Sequence, residues 1–169
     1  MTTSDGSYQT VGMQALVTAI RAVGATQPIM LGGLNYSSDE SSWLTYMPTD
    51  PDRSLVVSFH TYNTTNCNTS ACWKATVAPL AAVVPVVTGE FGEYDCATSY
   101  SHSYMKFADS LGISYLGWAW DAISSTPGGW DCAAPALIKS YKGKPSPEGA
   151  ALHSHLKTLF KHGQLPPEL

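Results

Sequence analysis

The amino-acid sequence predicts an α/β fold in which four parallel strands alternate with helices. Short apolar runs, typical of strands buried on both faces, occur four times, and helical apolar spacing follows most of them. Regular alternation of this kind is typical of a parallel sheet covered by helices. Three of the runs also end in acidic, imidazole or indole side chains, as expected where a site is built at the carboxyl edge of such a sheet.

The first predicted element is a helix over 7–23, which precedes the strands. Its apolar residues recur three and four positions apart, and Gly24 follows as a stop signal. The first strand–helix unit starts near residue 28 with the run Pro-Ile-Met-Leu-Gly. A long loop rich in serine, asparagine and aspartate follows, and it carries Asn35 and Tyr36.

The second unit starts near residue 55 with a run of β-branched and aromatic residues, which favours a strand. A helix is predicted over 73–83, and Pro79 is expected to perturb it because proline lacks an N–H group. The third unit starts near residue 84 with a strand, and a helix over 98–111 follows it.

The fourth unit starts near residue 113, and its strand is predicted to run to Trp120. A short helix over 135–141 comes next. The last helix is predicted to run from the Ser-Pro-Glu sequence at 146–148 to about residue 162, because serine caps a helix and proline suits its first position. The 169 residues form a single predicted domain, since no linker interrupts them. An open doubly wound sheet is an alternative arrangement, although no glycine-rich phosphate loop supports a nucleotide-binding version.

Composition narrows the class of protein. Hydrophobic residues make up 44% of the chain and charged residues 13%, which favours an ordered domain. The formal net charge of −4 offers no basic surface, so we expect no nucleic-acid partner. No apolar run approaches the roughly 20 residues of a membrane span, and no membrane partner is expected.

The four cysteines predict disulfides. They form a close pair, Cys67 and Cys72, and a distant pair, Cys96 and Cys132, without the Cys-x-x-Cys spacing of zinc sites. Two disulfides indicate an oxidising compartment, and we expect a secreted protein and no bound metal. The first residues are polar and contain no apolar signal region, so we expect a mature, truncated or engineered form.

The residues at the strand ends predict one shared cleft, because the carboxyl ends of parallel strands meet at one edge of the sheet. Period-two alternation places the histidine and tyrosine of the second strand on one face, and likewise both tryptophans of the fourth. A carboxylate among aromatic side chains suits carbohydrate chemistry, since sugar rings stack on indoles and a carboxylate can attack an anomeric carbon. The candidate residues are Asn35, Tyr36, His60, Tyr62, Glu90, Trp118 and Trp120.

Several of these residues stand in motifs that resemble those of glycoside hydrolase family five, the group of cellulases and related β-glucanases and mannanases. The resemblance implies a (β/α)8 barrel with retaining chemistry on a β-1,4-linked glucan and no cofactor. The matching pieces are Gly-Gly-Leu-Asn-Tyr at 32–36, His-Thr-Tyr at 60–62, Thr-Gly-Glu-Phe-Gly at 88–92 and Leu-Gly-Trp-Ala-Trp-Asp at 116–121.

The resemblance also implies roles for individual residues. Glu90 occupies the position of the family's nucleophile, and His60 and Tyr62 occupy those of its active-site histidine and tyrosine. Trp118 or Trp120 corresponds to its stacking tryptophan, and Trp118 is the preferred choice.

One family feature is missing, and it changes the expectation. The acid/base glutamate of the family follows an asparagine, but the chain contains no Asn-Glu dipeptide. What remains resembles family strands five to eight, half of a barrel that usually needs roughly 250 residues. Glu93 is expected to face solvent rather than act as a proton donor. The isolated chain is therefore predicted to be inactive or weak.

Half of a barrel leaves two open strand edges, so we expect self-association or a complementary half-barrel as partner. In a barrel of two copies, the partner's Asp121 would lie near the vacant acid position. Two alternatives remain open at this point: a non-catalytic module that binds glycans, and a fragment made to study half-barrel folding and assembly.

Overall fold

The computed structural model describes residues 10–122 and 131–161, and these contain one sheet of four strands in the order β1-β2-β3-β4. Every neighbouring pair is parallel. The predicted α/β fold with four parallel strands is therefore confirmed. The strands are β1, Ile29–Gly32; β2, Leu55–Tyr62; β3, Val86–Gly92; and β4, Ser114–Gly117.

The described helices cover mainly one face of this sheet. The longest, α6, begins after Ser146, whose Oγ accepts a hydrogen bond of 2.9 Å from the N–H of Gly149, as the sequence predicted. The helical elements are α1, Met13–Ala22; α2, Leu34–Ser37; α3, Ser70–Cys72; a π-helix, Trp73–Val77; α4, Ala78–Ala81; α5, Ser99–Ser110; and α6, Pro147–Lys161.

Two predicted helices differ from the observed ones. The first starts at Met13 with extended Gly12 before it, and residues 7–9 lie outside the described part of the chain. The helix predicted over 135–141 does not form, because its backbone groups bond elsewhere. The carbonyl of Pro135 accepts from the N–H of Ala119, and the N–H of Leu137 donates to the carbonyl of Ala119.

Pro79 accounts for the π-helix inside the second crossover. Proline has no N–H to donate to the carbonyl four residues earlier, and its ring crowds that carbonyl. The preceding turn, Trp73–Val77, widens instead, and the N–H of Ala78 donates to the carbonyl of Trp73. The helical path therefore continues through α4 despite the proline.

An aromatic cluster forms the core between the sheet and the helices. Trp73 lies at its centre and is only 1% exposed. Its ring centroid lies 5.5 Å from that of Tyr100, 5.0 Å from that of Tyr104 and 5.6 Å from that of Phe107. The indole N–H donates to the carbonyl of Cys67 at 3.0 Å. This one side chain therefore joins the second crossover to α5.

The opposite face of the sheet is much less covered. Met30 on β1 is 46% exposed and Leu116 on β4 is 59% exposed. On the central strands, by contrast, the same face carries polar groups such as Ser58 and His60. Apolar side chains are therefore open to solvent towards both edges of the sheet.

A β-bulge interrupts β3 at Gly89. Phe59 pairs with Thr88 and the next residue, His60, pairs with Glu90, so Gly89 has no partner in the register. In a regular strand Thr88 and Glu90 would share a face. The extra residue shifts the alternation, and Glu90 lies on the face of its neighbour His60.

The side chain of Phe91, the next residue, lies on the opposite face of the sheet from that of Glu90. Phe91 shares the helix-covered face with Thr88, and both are 0% exposed. Glycine suits the bulge because a Cβ at position 89 would lie only 2.9 Å from Nε2 of His60.

Two buried carboxyl groups meet the first turn of α5. The N–H of Ser101 donates to Glu93 Oε1 at 2.8 Å, and its Oγ donates to Glu148 Oε1 at 2.5 Å. Glu93 is 3% exposed and Glu148 is 5% exposed, so the prediction that Glu93 faces solvent is wrong. The chain after Gly92 turns inward, where the N–H groups at the start of α5 donate hydrogen bonds to the carboxyl group of Glu93.

Burial raises the pKa of both acids. For Glu148, burial away from solvent raises the pKa more than the hydrogen bond from the Ser101 hydroxyl lowers it. The nearby charge of Glu93 adds to the rise, and the pKa is about 7. Burial likewise raises the pKa of Glu93, although backbone N–H groups of α5 oppose the shift. In both side chains Oε2 is buried and has no hydrogen-bond partner among the residues that the structure describes.

We expect Trp73→Ala to lower the free energy of unfolding by about 3–5 kcal/mol, because it empties the centre of the core. It also removes the indole donor to the carbonyl of Cys67. Trp120→Ala is the matched control, since Trp120 is 76% exposed and its loss should change stability by less than ~0.5 kcal/mol. Urea unfolding measures both variants, and equal losses would contradict the placement of Trp73 at the centre of the core.

The buried acids predict that stability falls as the pH rises. The pKa of Glu148 is about 7 in the folded chain against 4.5 for the free side chain, so its neutral form favours folding. The contribution is full below pH 4.5 and is lost as the pH rises to 7, a fall of roughly 3 kcal/mol. Glu148→Gln removes this fall, and the variant should become the more stable protein towards pH 7.

Urea unfolding at several pH values between 4 and 8 tests this expectation. Ser101→Ala serves as a second variant, because it removes the hydroxyl that favours the charged form of Glu148. Its stability should therefore keep falling at a higher pH than in the unaltered chain. Parallel pH curves for the unaltered chain and Glu148→Gln would show that Glu148 does not titrate in this way.

Candidate active site

An open cleft of about 400 Å³ lies at the carboxyl ends of β1, β2 and β3. Polar and aromatic side chains form most of its walls. Five of the seven residues that the sequence predicted at the strand ends line it, namely Asn35, Tyr36, His60, Tyr62 and Glu90, and they are joined by Ser38, Thr64, Thr65, Asn66 and Tyr94.

The carboxylate of Glu90 is held by two neighbours on β2. The hydroxyl of Tyr62 donates to Glu90 Oε2 at 2.7 Å, and Nδ1 of His60 lies 3.6 Å from the same oxygen. The side chain of Glu90 is 26% exposed and that of His60 is 23% exposed. Both contacts converge on one oxygen of a carboxylate that solvent, and hence a ligand, can reach.

Tyr62 acts as a permanent donor in this arrangement. Burial raises its pKa far above the ordinary value, and the adjacent Glu90 carboxylate adds to the shift. The phenol therefore stays protonated throughout the neutral range. Because it donates to a single oxygen, it restricts how the carboxylate of Glu90 can rotate.

Glycine allows the chain to pack closely behind the tyrosine. A Cβ at Gly92 would lie 2.9 Å from Cβ of Pro135 and 3.5 Å from Cε1 of Tyr62. A larger residue than glycine therefore does not fit at position 92. The bulge at Gly89 therefore places the Glu90 carboxylate on the cleft side of the sheet. Gly92 allows Pro135 and Tyr62 to pack against the end of β3.

The rim beyond β1 has an unusual backbone. Asn35 and Tyr36 adopt left-handed conformations, with φ of 50° and 56°, inside the short turn α2. Asparagine tolerates this region, but tyrosine does so at a cost of about 1–2 kcal/mol. The side chain of Tyr36 is 97% exposed. Bonds between the backbone groups of Leu34 and Asp39 hold the turn closed.

The two predicted stacking tryptophans lie apart from the cleft lining. The strand predicted to run to Trp120 ends at Gly117, because Ala119 bonds to the 135–137 segment instead. Strand alternation therefore does not apply to Trp118 and Trp120. They are 43% and 76% exposed, and a stacking role for either remains a prediction.

Asp121 does not line the cleft either. Its Oδ1 accepts hydrogen bonds of 2.7 Å from the hydroxyl of Tyr141 and from the N–H of Ala122. Among the described residues that line the cleft, Glu90 is the only carboxylate. Within 10–122 and 131–161, no group of three histidine, cysteine, aspartate or glutamate side chains is arranged to hold a metal ion.

Both predicted disulfides are present. Cys67–Cys72 closes the loop after β2, and Cys96–Cys132 joins the loop after β3 to the chain beyond β4. Each bond lies close in sequence to cleft residues, since Asn66 precedes the first and Tyr94 precedes the second. The rim of the cleft is thus covalently tied at two points. None of the described helices is long and apolar enough to cross a membrane.

Some cleft residues were not identified from the sequence. Thr64, Thr65 and Asn66 belong to a polar loop with no distinctive motif. Tyr94 lies four positions after Glu90 and two positions after the end of β3, and this proximity is the signal that would have identified it. The remaining signal is Gly89 before the acid, since an isolated glycine inside a strand indicates a bulge.

Comparison with known proteins identifies the family. The model of the cellulase family, glycosyl hydrolase family 5, matches residues 6–124. A mannan endo-1,4-β-mannosidase from Streptomyces lividans is 29% identical over 114 residues, which cover 63% of this chain and 29% of that protein. The chain therefore spans less than a third of the length of this relative.

Solved structures show the same fold. A β-glucanase from Saccharophagus degradans superposes with a TM-score of 0.70 at 20% identity, covering 86% of this chain and 45% of that one. A β-mannanase from Thermomonospora fusca, in complex with mannotriose, gives a TM-score of 0.63 at 20% identity and covers 80% and 45% of the two chains. These neighbours are (β/α)8 barrels, and the four strand–helix units correspond to part of one.

The family model covers well over half of the chain, and the fold of the superposed structures agrees with it. The resemblance seen in the sequence motifs is thereby confirmed: the chain belongs to glycosyl hydrolase family 5, the cellulase family.

Proposed function

We propose that the chain is the nucleophile-bearing half of a retaining endo-β-1,4-glucanase, with Glu90 as the nucleophile. The observation that carries the proposal is the accessible carboxylate of Glu90 at the end of β3, held through one oxygen by Tyr62 and His60. A related β-glucanase structure contains cellotetraose, which supports a β-glucan as substrate.

In this mechanism Glu90 attacks the anomeric carbon of a bound sugar and forms a covalent glycosyl-enzyme bond. The glycosidic C–O bond breaks, and its oxygen must take a proton from a second carboxylic acid. Water then releases the sugar with that acid acting as base. Tyr62 and His60 keep the attacking carboxylate in one orientation throughout.

The second acid is what the described cleft does not supply. Retaining enzymes place their two carboxyl groups about 5–5.5 Å apart, and Glu90 is the only carboxylate among the described lining residues. Glu93 points away into the α5 contact. The isolated chain is therefore proposed to be inactive or weak.

The open sheet suggests how a complete site would arise. β1 and β4 are both edge strands, and the apolar side chains of Met30 and Leu116 are exposed towards those edges. Free edges and an apolar face favour pairing with another chain. We propose self-association or a complementary half-barrel as the partner. Secretion is proposed as well, because two disulfides suit an oxidising compartment.

A non-catalytic glycan-binding role is the second candidate function. It is favoured by the single carboxylate in a cleft that is otherwise polar and aromatic. In that case the chain binds a glucan without cleaving it. A fragment that serves only to study half-barrel folding and assembly would do neither.

Glu90→Gln is expected to abolish any hydrolysis of a soluble β-1,4-glucan, because the amide cannot form the glycosyl-enzyme bond. The purified chain and the variant are compared by release of reducing ends, with the oligomeric state measured on the same samples. Glu40→Gln is the matched control, since Glu40 is buried against the N–H of Gly33 and is not among the lining residues. Turnover that persists in Glu90→Gln would refute the nucleophile.

In a barrel of two copies, we propose the partner subunit's Asp121 as the proton donor. Asp121→Asn should then lower turnover at least ~100-fold, the usual contribution of a general acid, without changing the oligomeric state. Asp52→Asn is the control, because Asp52 pairs with Arg21 outside the cleft. Unchanged turnover in Asp121→Asn would eliminate Asp121 as the acid.

A further inference from the structure

We propose that Tyr94 is a substrate-contacting residue, whose ring forms the wall on which a sugar stacks next to Glu90. The inference rests on the proposed glycan-binding function of the cleft and deepens it. It assigns the aromatic contact to the loop after β3, in addition to the tryptophans after β4.

The ring of Tyr94 lies in the cleft and is open to solvent. Tyr94 lines the same cleft as Glu90 and is 39% exposed. Its ring centroid lies 5.6 Å from that of Tyr62, and the two planes are inclined by 59°. Tyr62 is only 9% exposed, and its hydroxyl is bound to Glu90. Of these two adjacent rings, Tyr94 is therefore the one open to a ligand.

The backbone that carries the ring of Tyr94 is held in place before any ligand arrives. The N–H of Tyr94 donates to Asn63 Oδ1 at 3.1 Å, and Nδ2 of Asn63 donates to Asp95 Oδ2 at 3.1 Å. Glu93, the preceding residue, is buried and bonded to α5. A rigid aromatic side chain loses little conformational freedom on binding, which favours affinity.

A covalent bond supports the same loop from its other end. Cys96, two residues after Tyr94, is joined to Cys132 beyond β4. The loop is thus attached at the side chain of Asn63, which accepts from the backbone N–H of Tyr94, at the buried Glu93 and at a disulfide. These attachments restrict how far the loop can move relative to β3, which carries Glu90.

The chemistry of the cleft indicates the class of ligand. The described lining contains no lysine or arginine, and the Glu90 carboxylate repels an anionic ligand such as a phosphate. Four residues with hydroxyl or amide side chains line the same cleft as the carboxylate, namely Asn35, Thr64, Thr65 and Asn66. Hydrogen-bonding groups beside an exposed aromatic ring suit a neutral polyhydroxylated ring, which offers hydroxyls at its edge and an apolar face.

Isothermal titration with cellotetraose tests the proposal. Tyr94→Ala should weaken binding about 3- to 10-fold, the scale of one aromatic contact, whereas Tyr94→Phe keeps the ring and should bind nearly as the unaltered chain does. Tyr94→Leu retains apolar bulk against Tyr62 but lacks an aromatic face, so it should also weaken binding. It replaces the alanine variant in the test if that variant does not fold. Tyr46→Ala is the control, because Tyr46 is 78% exposed and lies outside the cleft lining.

The possible outcomes distinguish a failure of the Tyr94 contact from a failure of the proposed glycan binding. If the unaltered chain binds cellotetraose and both Tyr94→Ala and Tyr94→Leu bind equally well, the role of Tyr94 is refuted while glycan binding stands. If the unaltered chain binds no cellotetraose, glycan binding fails and the Tyr94 contact fails with it. If Tyr46→Ala weakens binding as much as Tyr94→Ala does, the assignment is also overturned, because the effect is then not specific to the cleft.

Discussion

One unpaired residue, Gly89, determines how the rest of the site is arranged. Without the bulge, Glu90 would point into the aromatic core and Phe91 into the cleft, so a charge would be buried and a large apolar ring exposed. With the bulge, the side chain of Glu90 meets His60 and Tyr62, and Phe91 packs at the core beside Tyr104. The same shift in alternation thus serves both stability and the proposed chemistry.

The elements behind the cleft hold its rim. The loop that carries Tyr94 is attached to α5 through Glu93, and α5 is attached to α6 through Ser101 and Glu148. Burying carboxyl groups with raised pKa values destabilises the fold at neutral pH. The stability of the contacts behind the rim therefore depends on whether Glu93 and Glu148 are protonated. The disulfides add covalent ties to the same rim.

The distribution of polar and apolar groups on the open sheet face matches a site divided between two pieces of structure. Polar groups gather around Glu90 on the central strands, while Met30 and Leu116 lie exposed towards the edges. The solved relatives are roughly twice as long as the part that this chain covers. The proposal that a second piece of structure completes the site accounts for two observations together: Glu90 is the only carboxylate in the described cleft lining, and β1 and β4 are the edges of the described sheet.

The sequence by itself determined the features that depend on local residue types. Short apolar runs indicated the four strands, Ser146 and Pro147 the start of α6, Pro79 the disturbed crossover, and the cysteine pattern the two disulfides. The motifs around His60 and Glu90 placed both residues at one sheet edge. Only the tertiary structure decided the shift in alternation at Gly89, the end of β4 at Gly117, the burial of Glu93 and the exposure of Tyr94 in the cleft. These features arise from contacts between segments distant in sequence, such as Ala119 with the 135–137 segment and Ser101 with Glu93 and Glu148, and local propensity carries no information about such contacts.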